Sequence, residues 1–126
     1  MPSSRTPKAG EVWLTNCDPQ VGREQAGRRP ALILSHDRFN AARNGLVFLA
    51  PMTGTDRGLP IHYRIEAGVG GLSKTSYVLC DQAKSTSELR LLQYMGEVPA
   101  EVLLEVRRIT GRFIDADKVY RQGQSR

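Results

Sequence analysis

From Gly10 onward the chain alternates. Val12, Leu14 and Asn16 fall on one side and Trp13, Thr15 and Cys17 on the other, a period of two that predicts a strand ending at Asp18-Pro19. Gln20 to Arg29 contains Gly22, Gly27, three arginines and no apolar period, so a long loop is expected there. Pro30 opens a second strand, Ala31 to Ser35, whose unbroken Leu32-Ile33-Leu34 run suits a strand covered on both faces. Asp37 is expected to cap a short helical turn through Phe39 to Ala42. Leu46 to Met52 is apolar throughout and predicts a third strand. Thr53 to Pro60 reads as a second polar loop and Ile61 to Glu66 as an alternating strand, after which Gly68, Gly70 and Gly71 mark a turn. Strands are then expected at Tyr77 to Asp81 and near Leu91 to Met95.

The period then changes. Pro99 suits the start of a helix, and Val102, Leu103, Val106, Ile109, Phe113 and Ile114 recur at threes and fours, which predicts one apolar stripe running to about Ile114 with Arg107, Arg108 and Arg112 on the other face. Residues 1–9 are polar and proline-bearing, as in a disordered arm, and residues 119–126 read as a flexible tail. Five or six short strands followed by one helix give a mainly β, α+β domain over residues 10–118: a small, strongly bent antiparallel barrel with short helices and a C-terminal helix packed on it.

At 126 residues, 40% apolar and 25% charged, the composition is that of one globular domain. Apolar runs such as Val47 to Met52 are far too short to span a bilayer, and no signal-like stretch follows Met1, so a cytoplasmic location is expected. Cys17 and Cys80 lie 63 positions apart with only His36 and His62 besides, so reduced thiols are expected and no metal-ligand spacing exists. Eighteen basic residues against thirteen acidic ones leave a net charge of +5. Fourteen of the eighteen are arginine, whose planar fork suits phosphate and base stacking, so a polyanion leads among partners. On charge alone, a solvated surface with no partner fits as well.

Gly10-Glu11-Val12-Trp13, Asp18-Pro19, Gly22, Glu24-Gln25-Ala26-Gly27 and Arg29-Pro30-Ala31-Leu32-Ile33-Leu34-Ser35 together resemble the MazF/PemK toxin family. Pro51, Thr53, Gly58, Pro60 and Cys80-Asp81-Gln82-Ala83-Lys84-Ser85 continue the likeness, which spans roughly residues 10 to 115. It implies a homodimeric, SH3-like barrel of the CcdB/PemK-like fold that cleaves single-stranded RNA at a short sequence, without a metal or cofactor. A MazE-like antitoxin with an acidic C-terminal segment would inhibit it. Attack by the ribose 2'-hydroxyl would leave a 2',3'-cyclic phosphate and a 5'-hydroxyl. Such a reaction needs a cation at the phosphate, proton movement and hydrogen-bond donors, and no protein nucleophile.

Carried over residue by residue, the resemblance makes Arg29 and Thr53 the catalytic pair, the guanidinium stabilising phosphate charge and the hydroxyl bonding a phosphate oxygen. A solvated or ion-paired Arg29 and a Thr53 that only satisfies loop backbone are the plain alternatives. Glu24 and Gln25 are placed to read base edges, although Glu24 also suits pairing with Arg23 or Arg28. Arg57, Gln82 and Lys84 are expected at the RNA. Where the PemK branch has an arginine two residues before Asp81, this chain has Leu79. Asp81 is therefore read as structural, His36 and His62 as surface or half-buried strand residues, and Trp13 as core. Two other functions stay open. A CcdB-like gyrase poison shares the fold, but its aromatic-glycine-aliphatic ending differs from Gln122-Gly123-Gln124-Ser125-Arg126 here; the second is a catalytically inactive RNA-binding barrel.

Overall fold

The computed structural model describes residues 5–18, 21–22, 27–42 and 44–114. In chain order they form β1 (Glu11–Asn16), β2 (Arg28–Ile33), α1 (Asp37–Ala41), β3 (Leu46–Thr53), β4 (His62–Ile65), β5 (Ser76–Leu79), β6 (Lys84–Ser87), β7 (Leu91–Glu97) and α2 (Ala100–Ile114). Single 3₁₀ turns occupy Val69–Gly71, Cys80–Gln82 and Glu88–Arg90. The strands make one antiparallel sheet in the order β4-β5-β3-β2-β1-β7, with β6 joining β3 on the edge that β5 also uses. Among the described residues β4 and β7 do not pair with each other, so the barrel expected from the strand spacing is strongly bent but left open.

Alternate residues of the same strands bury two separate clusters. Val12, Leu32, Leu34, Ala50, Met52 and Val78 face α2, whose Val102, Leu103, Val106 and Ile109 close over them. Trp13, Ala31, Ile33, Val47, Leu49 and Leu91 pack together on the opposite side. This double burial is why Leu32-Ile33-Leu34 and Leu46 to Met52 are apolar without alternation. The stripe on α2 ends before Phe113 and Ile114, which are exposed. Arg107 leaves the solvent face expected of it and donates from Nε and Nη2 to the Leu34 carbonyl at 2.9 and 2.7 Å.

Several boundaries differ from the sequence reading, each for a local reason. β2 begins at Arg28 rather than Ala31 and takes Pro30 inside it, since Arg28 and Arg29 pair with Asn16 and Thr15 of β1. Thr53 is the last residue of β3 rather than the start of a loop. At α1 the cap is His36, whose Nδ1 accepts from Phe39 N–H at 3.2 Å, while Asp37 accepts from Ala9 N–H at 2.8 Å. The strand expected through Asp81 stops at Leu79, and β6 has no counterpart in the sequence reading. The Val69–Gly71 turn lies hard against β7: a Cβ on Gly71, at φ +75°, would come within 2.0 Å of the Met95 carbonyl, so only glycine fits there.

The disordered arm expected over residues 1–9 must be corrected for residues 5–9. Glu11 is buried, yet its carboxylate accepts from Trp13 Nε1–H at 3.0 Å and Lys8 N–H at 2.9 Å and ion-pairs with Arg5 at 2.8 Å. Arg5 in turn stacks 3.9 Å above the Tyr94 ring, which meets Trp13 edge to face. A buried carboxylate demands donors, and the arm supplies two of the three. Residues 1–4 and the proposed tail at 119–126 lie outside the described residues.

Glu11→Ala should therefore cost about 2–4 kcal/mol of stability in urea unfolding, because Trp13 Nε1–H loses its buried acceptor while the arm is released. An unfolding midpoint equal to the parent's would remove Glu11 from this role.

Candidate active site

The functional candidates converge on the face that carries the Trp13 cluster. Thr15 pairs with Arg29 across β1 and β2, Thr53 with Tyr77 across β3 and β5, and Tyr77 with Arg64 across β5 and β4. The β2–β3 register runs Ile33–Leu49, Leu32–Ala50, Ala31–Pro51 and ends two residues short of Arg29 on β2 and of Thr53 on β3. Directly opposed residues share a face. Thr15 and Arg29 thus share a face across β1 and β2, and Thr53, Tyr77 and Arg64 share one across β3, β5 and β4.

Thr53 is 4% exposed, and its Oγ1 accepts from Thr55 N–H at 3.2 Å. That bond uses an oxygen lone pair and leaves the hydroxyl proton to donate, so the loop-capping role and a phosphate contact are compatible. Next to it, the Lys74 side chain lies across Gly54, its Nζ 3.1 Å from where a Cβ would stand. Arg57 is exposed in the loop that follows, where Asp56 accepts from Gly58 N–H at 2.8 Å to tighten the turn.

On the same sheet lies a cleft of about 210 Å³. Thr15 to Cys17, Leu49, Pro51, Lys84 to Ser87 and Arg90 line it. Its electrostatics register on Cys17: burial pushes the thiol pKa up, and the positive charges of Lys84, Arg29 and Arg90 each pull it down. Arg90 is held by donating from Nη1 to the carbonyl of Asn16 at 3.2 Å and to that of Asp18. The base of the first loop is stapled by Cys17 N–H to Gly27 O and Gly27 N–H to Asp18 Oδ1, both 2.8 Å, which fixes the approach of Arg28 and Arg29.

The sequence candidates are unevenly placed in this site. Arg29 pairs with Thr15 on β1, Thr53 with Tyr77 on β5, Lys84 lines the cleft, and Arg57 stands in the loop after Thr53. Gln82 lies half-buried in the Cys80–Gln82 turn, outside the cleft lining. Glu24 and Gln25 lie outside the described residues. Asp81 stands 3.2 Å from His62 Nε2; His62 is a half-buried residue of β4, as expected, with its side chain turned inward at 5% exposure. Leu79, where the PemK branch has arginine, is buried opposite His62. Sequence reading missed Lys74, Thr86 and Arg90, none of which sits in a distinctive motif. Among the described residues no three His, Cys, Asp or Glu side chains gather as a metal-binding set, and no helix is long and apolar enough to cross a membrane.

Comparison with known proteins assigns the family. The sequence pattern of the PemK-like, MazF-like toxins of type II toxin–antitoxin systems matches residues 8–113. The Mycobacterium tuberculosis endoribonuclease MazF9 is 30% identical over 104 residues, 79% of this chain and 88% of that protein. The Escherichia coli K12 endoribonuclease toxin MazF is 34% identical over 85 residues, 68% and 72% of the two chains. In three dimensions, the crystal structure of Deinococcus radiodurans MazF superposes with a TM-score of 0.78 at 36% identity, over 88% of this chain and 98% of that one. MazF in a MazE–MazF crystal structure from the same organism gives 0.72 at 32%, over 89% and 98%. On this evidence the chain belongs to the PemK-like, MazF-like toxin family of type II toxin–antitoxin systems.

Proposed function

We propose that this chain is the toxin of its pair: a sequence-specific endoribonuclease that cuts single-stranded RNA without a metal. Relatives named endoribonucleases support RNA cleavage. The observation that carries the chemistry is that Arg29, near the start of β2, and Thr53, at the end of β3, lie at the same end of that antiparallel strand pair, with a cleft lined by Lys84 and Arg90 on the same sheet. In the reaction the ribose 2'-hydroxyl attacks the adjacent phosphorus and the P–O5' bond breaks. The chain is left with a 2',3'-cyclic phosphate on one fragment and a 5'-hydroxyl on the other, with no water consumed. Arg29 stabilises the charge that accumulates on the phosphate oxygens, and Thr53 donates its hydroxyl proton in a hydrogen bond to one of them. Arginine holds its proton at neutral pH, so its part is electrostatic rather than that of a general base. Arg57, Gln82 and Lys84 bind the flanking RNA, and Glu24 and Gln25 read bases from the first loop.

The partners follow from the same charge. An acidic segment of a MazE-like antitoxin would compete with RNA for the cations around the cleft, as polyanions of either kind are drawn to one field. The solved MazE–MazF complexes support such pairing. A homodimer extends the short groove of one subunit across a two-fold axis, and the cytoplasm is where the substrate resides. Light scattering at micromolar concentration should report twice the mass of one chain, and a stable monomer would contradict the dimer.

Cleavage should survive EDTA and yield cyclic-phosphate ends; activity that EDTA abolishes and magnesium restores would overturn the metal-free reaction. Arg29→Ala should lower the single-turnover rate about a hundredfold or more while RNA binding weakens little. Thr53→Ala should be milder, a neutral hydrogen bond being weaker than a charge-assisted one. Arg57→Ala should mainly weaken binding, by about 1 kcal/mol, with a shallower salt dependence. An Arg29→Ala protein that cuts at the parental rate would move the active site elsewhere.

A further inference from the structure

β3 lies between β2 and β5 in the sheet, and each of those neighbours brings a cation to the end of β3 where Thr53 stands. Arg29 comes from near the start of β2. Lys74 comes from the other side, two residues before β5, which begins at Ser76 and pairs Tyr77 with Thr53. The Lys74 side chain folds over Gly54, the residue after Thr53: a Cβ built there would lie 3.1 Å from both Cε and Nζ of Lys74 and 3.7 Å from Cδ. The φ of Gly54 lies outside the left-handed region, so the backbone does not require glycine. What glycine supplies is room for the lysine. Lys74 is exposed, and among the described residues no carboxylate ion-pairs with it. Glu66, which accepts from the neighbouring Thr75 at 3.5 Å, is ion-paired with Arg64 at 3.3 Å, and Asp56 accepts from Gly58 N–H. A surface lysine ordinarily carries its charge out into water. Holding one against a glycine costs side-chain entropy that no ion pair here offsets.

We infer that Lys74 is a further catalytic residue: its ammonium binds the scissile phosphate beside Thr53, on the side away from Arg29, and Gly54 leaves the space in which it lies. The inference rests on the ribonuclease reading and adds a group to it. Attack by the 2'-hydroxyl loads negative charge onto the phosphate oxygens before the P–O5' bond breaks and its electron pair leaves on O5'. Cations on both sides of Thr53 share that charge. Because Lys74 is already laid against the turn, it need not reorient as the charge develops, and it favours the transition state over the ground state. Its part is electrostatic; it forms no bond to phosphorus.

The test uses the full chain and two measurements: the single-turnover cleavage rate at saturating protein, and affinity for the same RNA made uncleavable by a 2'-deoxyribose at the cut. Lys74→Met should slow cleavage about tenfold while affinity falls less than about threefold. Lys74→Arg, which keeps the charge, should recover most of the rate. Gly54→Ala displaces the lysine without removing it, so it should slow the parent severalfold and leave Lys74→Met nearly as it was. A Lys74→Met protein that cuts at the parental rate would overturn the inference. So would a loss confined to affinity, which would put the lysine on a phosphate that does not react, or a loss that Lys74→Arg shares in full, which would assign the effect to packing. An equal cost of Gly54→Ala in both backgrounds would overturn the role of Gly54. In each of these cases the parent still cuts RNA and the ribonuclease reading stands; a parent that cuts no RNA overturns both.

Discussion

Pro30 has no amide proton, and the hydrogen-bonded pairing of β2 with β3 stops one residue later, at Ala31 and Pro51. A proline at that point cannot extend the ladder. Beyond it β2 continues against β1 and β3 against β5, and Arg29 and Thr53 lie on those continuations. Arg29 stays anchored from the other side, through its pairing with Thr15.

What keeps that arrangement rigid is burial on both faces of the sheet. One side is closed by α2 and the other by the Trp13 cluster, so neither β2 nor β3 can slip by one residue without exchanging one core for the other. The Glu11 carboxylate adds a second lock by binding Trp13 and the arm at once. Catalysis by charge stabilisation needs such pre-organisation, since donors that must reorient with the substrate lose most of their advantage. The cations pay for it in mutual repulsion; Arg90 is fixed by two backbone carbonyls.

The parts of the fold that follow from hydrophobic burial were legible in the sequence. The run Leu46 to Met52 marked a strand buried on both faces, and the spacing from Val102 to Ile109 marked the helix that covers one of them. Arg29 and Thr53 were legible only through the family motif, because an arginine before a proline and a threonine after an apolar strand are individually unremarkable. β6 was not legible. Lys84-Ser85-Thr86-Ser87 contains no apolar residue, and it is a strand because β3 offers it an edge beside β5. The part of the cleft that it lines, with Thr86, was hidden for the same reason. Lys74, Arg90 and His62 depend on long-range packing that no local pattern encodes. The arm from Arg5 to Ala9 looked disordered because its partners, Glu11, Tyr94 and Asp37, include groups distant in the chain.

If Arg29 and Thr53 act on one phosphate, they are a unit and their losses should not add. The direct measurement is a double-mutant cycle of Arg29→Ala and Thr53→Ala, read as single-turnover RNA cleavage at saturating protein. The double variant should be little slower than Arg29→Ala alone. A double variant slowed by the full product of the two single effects would show two independent sites and contradict the account.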